Sequence, residues 1–218
     1  MIDNTLSLHH VIRKSTLTEN APLLIMMHGY GSDENDLFSF ASELPEELFI
    51  ISVKAPHPMQ PYGNAWYAIN FDADKGKWSD NEEAIESRDL IATFIDEVVT
   101  TYPVNKNNVS LLGFSQGTIL SYAVALTYPE KIKNIIALSG YINKDIFPQD
   151  IENRDYSKLD FYCSHGSSDQ VIPVNWARLT SPILDSLNIK YKYSEFPVGH
   201  GVAPQNFYEL KDWLSKRI

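Results

Sequence analysis

Apolar residues in this chain gather in short runs bounded by Gly, Pro or polar residues, at positions 6–12, 23–27, 48–53, 109–112, 135–138, 161–163 and 191–196. Several runs are unbroken instead of alternating, the pattern of strands covered on both faces. Between them the period changes. Ile85, Ile91, Phe94, Ile95 and Val98 fall on one helical face, with Ser79-Asp80-Asn81-Glu82 offering a capping box at its start and Tyr102-Pro103 a stop at its end. Positions 118–126 are small or apolar almost throughout, as in a buried helix. Phe207, Leu210, Trp213 and Leu214 form a further stripe after Pro204, a favourable first-turn residue. Strands alternating with helices in this way predict an α/β fold with a mainly parallel central sheet and helices on both faces.

Gly113-Phe114-Ser115-Gln116-Gly117 joins the strand at 109–112 to the buried helix that follows. A G-x-S-x-G pentad between a strand and a helix is the setting of a nucleophile elbow, where a sharp turn pushes the serine hydroxyl out above the sheet. The N–H of Gln116 would lie at the helix start, where unpaired donors and the positive end of the dipole can meet a developing oxyanion. Without catalysis, the same pentad reads as a tight structural turn.

A serine hydroxyl is a poor nucleophile at neutral pH, so it needs a histidine and an orienting carboxylate, in the chain order Ser, Asp, His. Asp169 lies in a polar loop beyond the strand at 161–163, with Pro173 placed to open a helix; otherwise it would be a turn or cap aspartate. His200 follows the strand ending at Phe196, on the carboxyl-end face where open α/β sheets place their ligands. Of the other histidines, His9, His10 and His57 precede the acid, and His165 is placed to shape the Asp169 loop. His28 opens His28-Gly29-Tyr30-Gly31 directly after a strand. That H-G-x-G loop can supply a second oxyanion donor, the backbone N–H of Tyr30, with His28 itself a structural hydrogen-bonding residue.

Other features carry less chemistry. Cys163 lies within a predicted buried strand with no basic neighbour to lower its pKa, which reads as inert core. Asp72-Ala73-Asp74 with Glu83 is a poor calcium loop, because Gly76 falls one position early and Lys75 and Lys77 intrude. No metal or organic cofactor is expected. Tyr62, Trp66, Tyr67, Phe71 and Trp78 crowd a segment rich in Pro and Gly with no helical stripe to account for them. They plug the core or line an acyl pocket beside Ser115.

The length of 218 residues suits one domain spanning 1–218. A formal charge of −10 opposes nucleic acid and anionic lipid as partners. The first residues have an acid where a signal peptide would be basic, no segment reaches membrane-spanning length, and one cysteine cannot form an internal disulfide. Cytoplasm is the expected location. The sequon Asn108-Val109-Ser110 falls in a predicted strand, where glycosylation is sterically implausible.

Taken together, His28-Gly29-Tyr30-Gly31, Ala65-Trp66-Tyr67, Gly113-Phe114-Ser115-Gln116-Gly117, Leu138-Ser139-Gly140-Tyr141, His165-Gly166-Ser167-Ser168-Asp169 with Val171-Ile172-Pro173, and Gly199-His200 resemble the phospholipase/carboxylesterase family of small α/β-hydrolases. That family includes the acyl-protein thioesterases and bacterial carboxylesterases. The resemblance implies an α/β-hydrolase fold without a large cap domain, a Ser115–Asp169–His200 triad and an oxyanion hole from Tyr30 and Gln116. Trp66, Tyr67 and Tyr141 are the candidate substrate-binding residues. The chain departs from the family where Leu or Phe usually stands at Tyr30 and an acid usually stands at Ala68. The expected activity is hydrolysis of small carboxylic esters, then of acyl thioesters or lysophospholipids, by a monomer or homodimer. The competing readings are a peptidase of the same fold and a hydrolase-fold protein that only binds a ligand.

Overall fold

The unbroken apolar runs become strands whose alternate side chains enter two different layers. In the computed structural model, residues 6–72 and 76–218 are described, apart from the side chains at 71, 72 and 76–78. The side chain of Asp72 and residues 73–74 of the poor calcium loop, with the side chains of Phe71 and Trp78, therefore lie outside the described residues, as does the chain start at 1–5. Seven strands form the main sheet: β1 (His10–Arg13), β2 (Ala21–Met27), β3 (Phe49–Val53), β4 (Val104–Phe114), β5 (Asn134–Leu138), β6 (Asp160–Gly166) and β7 (Lys190–Phe196). Their order is β1-β3-β2-β4-β5-β6-β7, with β1 antiparallel to β3 and every other pair parallel.

Leu23, Ile25 and Met27 of β2 pack with Phe49, Ile51, Leu111, Ile135 and Phe161 on one face, while Leu24 and Met26 pack with Ile50, Leu112, Ile136 and Tyr162 on the other. Both faces being covered is why the runs do not alternate. The first face is roofed by α1 (Asn81–Thr101) through Ile91, Phe94, Ile95 and Val98, and by α2 (Gln116–Thr127). All twelve residues of α2 are buried, so it has no polar face. The second face is covered by Leu210, Trp213 and Leu214 of the C-terminal helix (Pro204–Ser215), which begins on its proline as the sequence predicts.

The start of α1 differs from the expected capping box. Ser79 pairs with Ile69 as the last residue of a small strand, so the cap passes to Asp80, whose Oδ1 accepts from the N–H groups of Glu82 and Glu83 at 3.1 Å. Glu83 turns away from the cap and accepts from the Ala68 N–H at 2.7 Å. Parallel strands all end on the same edge. The loops after β2, β4, β6 and β7 are therefore delivered together, carrying His28, Ser115, Asp169 and His200.

Candidate active site

Ser115 stands between β4 and α2 with φ 54° and ψ −114°, a conformation that costs a non-glycine residue of order 1–3 kcal/mol and persists only where surroundings enforce it. The enforcement is visible. Ser115 N–H donates to Leu138 O at 2.9 Å, and the first turn of α2 sits so close to the end of β2 that a Cβ on Gly117 would stand 2.0 Å from Met27 O. Only glycine fits there.

His200 Nε2 lies 3.0 Å from Ser115 Oγ, and His200 Nδ1 lies 2.7 Å from Asp169 Oδ2. Asp169 and His200 are held relative to each other by main chain: Ser167 N–H donates to Phe196 O at 2.8 Å and Ser168 N–H to Val198 O at 3.1 Å. The other carboxylate oxygen, Asp169 Oδ1, accepts from the N–H groups of Val171 at 2.8 Å and Ile172 at 3.0 Å. Burial works to raise the Asp169 pKa, but the hydrogen bonds from His200, Ile172 and Val171 outweigh it and hold the carboxyl below its ordinary value. A group depressed in this way contributes stability that is present above its unfolded pKa, about 3.9, and is lost as pH falls through the lower folded value. The melting temperature of the wild-type chain is thus expected to exceed that of Asp169→Asn most at neutral pH, with the gap closing below about pH 4. Melts across pH 3–7 check this, and a constant gap would contradict it.

His165 is buried beneath the acid, its Nε2 2.9 Å from Ile172 O and 3.3 Å from Asp169 Oδ2. It braces the acid loop. His28 is likewise fixed: Ala55 N–H donates to Nε2 at 3.0 Å, so Nδ1 carries the proton and donates to Gly29 O at 2.7 Å. Burial pushes its pKa below the ordinary value, keeping the imidazole neutral. His10 is buried between Leu8 O and the Tyr102 hydroxyl, away from this cluster. Burial pushes the Cys163 thiol up to about 12, which removes thiolate chemistry there.

The loop after β2 turns beside the serine. A Cβ on Gly29 would stand 3.3 Å from Ser115 Cβ, and Ser32 N–H donates to Gly29 O to close a tight turn with Gly31 at φ 78°. Among the described residues neither the Tyr30 N–H nor the Gln116 N–H donates a hydrogen bond. One of these donors belongs to the residue after Ser115 and the other to the residue after Gly29.

The aromatic candidates divide. Trp66 and Tyr67 are 0% and 1% exposed and present no surface to a ligand in this structure. Tyr141 is partly exposed in the loop after β5 and meets Trp176 edge to face at 5.3 Å. Trp176 and Leu179, which no sequence pattern marks, and Val171 are each at least half exposed beside the Asp169 loop. Tyr62 is 80% exposed at the rim near Gly31. Among the described residues no group of three His, Cys, Asp or Glu side chains could hold a metal, and no helix is long and apolar enough to cross a membrane.

The phospholipase/carboxylesterase family model matches residues 9–218. Lysophospholipase-like protein 1 of Mus musculus is 25% identical over 213 residues, covering 89% of this chain and 86% of its own. Acyl-protein thioesterase 1 of Yarrowia lipolytica is 26% identical over 209 residues, covering 89% and 91%. Among solved structures, the Bacillus cereus carboxylesterase superposes with a TM-score of 0.84 over 99% of this chain and 96% of its own, at 19% identity, which is a likeness of fold.

Proposed function

The chain belongs to the phospholipase/carboxylesterase family and is an α/β-hydrolase acting on carboxylic esters or acyl thioesters, and from that premise we propose that Ser115 is the acyl-accepting nucleophile. His200 Nε2 takes the Ser115 proton as Oγ bonds to the substrate carbonyl carbon, and the carbonyl π electrons move onto oxygen. The Tyr30 and Gln116 N–H groups receive that oxyanion. Its collapse breaks the bond to the alcohol or thiol, which leaves with the proton held on His200. Water then repeats the sequence on the acyl-enzyme and releases the acid. Asp169 fixes the imidazole with Nδ1–H facing it and stabilises the imidazolium while it lasts.

The observation that carries this reading is the unbroken line from Ser115 Oγ to His200 at 3.0 Å and from His200 to Asp169 at 2.7 Å, ending on a strained serine. A turn built only for structure has no use for the histidine. The direct test is a hydrolysis profile over p-nitrophenyl esters of rising chain length, beside an acyl thioester and a peptide amide. Turnover of esters or thioesters that disappears in Ser115→Ala supports the reading; turnover of the amide alone contradicts it.

For the acyl group, Tyr141 and Trp176 are the apolar surface to consider. Gly140 packs on the elbow, where a Cβ would stand 3.1 Å from Ser115 O, so Tyr141 is one residue removed from the nucleophile's own backbone. A chain leaving the carbonyl in that direction would bury methylenes on the Tyr141–Trp176 pair and Val171. Each buried methylene is worth about 0.8 kcal/mol, so four of them separate long and short esters by roughly a hundredfold. Trp176→Ala is expected to lower kcat/KM for octanoyl esters by about tenfold or more while changing acetyl esters less than twofold. An unchanged chain-length profile would remove Trp176 from the acyl surface.

A further inference from the structure

Trp66 is buried completely, yet it touches both sides of the proposed oxyanion site. Its main-chain N–H donates to Gln116 Oε1 at 2.8 Å, and Gln116 Nε2 donates to the neighbouring Tyr67 O at 2.8 Å. The residue whose backbone would offer one oxyanion donor is thereby clamped by its own side chain. At its other end the Trp66 indole Nε1–H donates to His28 O at 3.0 Å, two residues before Tyr30, whose backbone would offer the second donor. The His28 ring, tilted 36° against the indole at 5.7 Å, is pinned in turn between Ala55 N–H and Gly29 O. Ser87 Oγ on α1 holds the Trp66 carbonyl.

From this connectivity we infer that Trp66 is a positioning residue: a strut that sets the spacing between the Gln116 and Tyr30 N–H groups, and so tunes stabilisation of the oxyanion without meeting the substrate. The inference rests on the acyl-transfer reading and deepens it. A buried indole always wants an acceptor, so satisfaction alone would be served by any carbonyl in the core. Here the acceptor is the peptide that leads into the oxyanion loop, and the same residue's main chain holds the elbow side. Donors that act on charge developing in the transition state must be placed to within about half an ångström. Loosening the strut should therefore reach kcat more than KM.

The test is Trp66→Phe, which keeps a buried ring and deletes the indole donor, with Gln116→Met as the second variant that releases the other end. A short alkyl trifluoromethyl ketone serves as the probe, because addition of Ser115 Oγ to its carbonyl places an oxyanion in the same position. Removing a whole oxyanion donor costs about a hundred- to a thousandfold in kcat, and displacing one costs a fraction of that. Trp66→Phe is expected to lower kcat by about ten- to a hundredfold with KM within about twofold, and to weaken the ketone by a similar factor. The double variant should lose less than the product of the single losses, since both break one path. Tyr156→Phe, which removes hydroxyl bonds to Leu126 O and Ile151 O elsewhere in the core, controls for lost stability and should leave kcat unchanged.

Folded Trp66→Phe with kcat and ketone affinity within twofold of wild type would overturn the strut, as would an equal kcat loss in Tyr156→Phe. Should Trp66→Phe not fold, the kcat and ketone losses in Gln116→Met decide by the same limits. Wild-type chain that neither turns over ester nor binds the ketone would instead overturn the acyl-transfer reading beneath it.

Discussion

Ser115→Ala is expected to lose about six orders of magnitude in kcat for p-nitrophenyl esters while folding normally, the scale on which removing the nucleophile of a serine hydrolase removes the covalent pathway. The small size of alanine does not relieve the backbone, which stays at φ 54° because Leu138 O and the packing of α2 on β2 hold it there. Melting temperature should therefore move little, and binding of substrate should survive. Stopped assays with the variant at high concentration, after purification away from host esterases, check the figure. Retention of even a tenth of wild-type turnover would mean that another group attacks the carbonyl.

Asp169→Asn is expected to cost roughly three to four orders of magnitude in turnover, because an amide at this position favours the wrong imidazole tautomer and no longer balances the imidazolium. The surrounding geometry argues that the effect is electrostatic and not a collapse of the loop. Oδ1 accepts from Val171 and Ile172 N–H groups, which the asparagine Oδ1 can still satisfy, and the backbone bonds from Ser167 and Ser168 to the His200 loop do not involve the side chain. His165 Nε2 keeps its bond to Ile172 O. Near-normal turnover in the folded variant would take Asp169 out of the relay.

The sheet was legible in the sequence because its strands are apolar on both faces, and the elbow because a pentad with glycines two positions either side of serine sat between a strand and a helix. Boundaries were less so. β4 runs from Val104, well before the apolar run at 109–112, since Asn105, Lys106 and Asn107 are polar yet extend the same strand. The cap of α1 moved from Ser79 to Asp80 because Ser79 is held in a strand pairing that no local pattern announces. The short pair His57–Pro58 with Asn64–Ala65 lies in a Pro- and Gly-rich segment that reads only as loop.

In the site, chain order and loop position indicated Ser115, Asp169 and His200 because each follows a strand on one edge of a parallel sheet. The placement of Trp66 was not legible. Its partners, Gln116 and His28, are 50 and 38 residues away, and aromatic crowding in a loop reads equally as pocket lining or core. The exposed Trp176 and Leu179 were missed because the helix Val174–Arg178, which holds Trp176 and is capped by Leu179, is little more than one turn long and carries no stripe that would set them apart.

The most direct measurement of the central claim is covalent. A fluorophosphonate added to folded chain should bond to one nucleophile per molecule, with loss of fluoride, and peptide mapping should place the adduct on Ser115. Ser115→Ala should then take no label, and Asp169→Asn should label far more slowly. Adduct at any other residue, or none on folded wild-type protein, would contradict the assignment of Ser115 as the activated nucleophile.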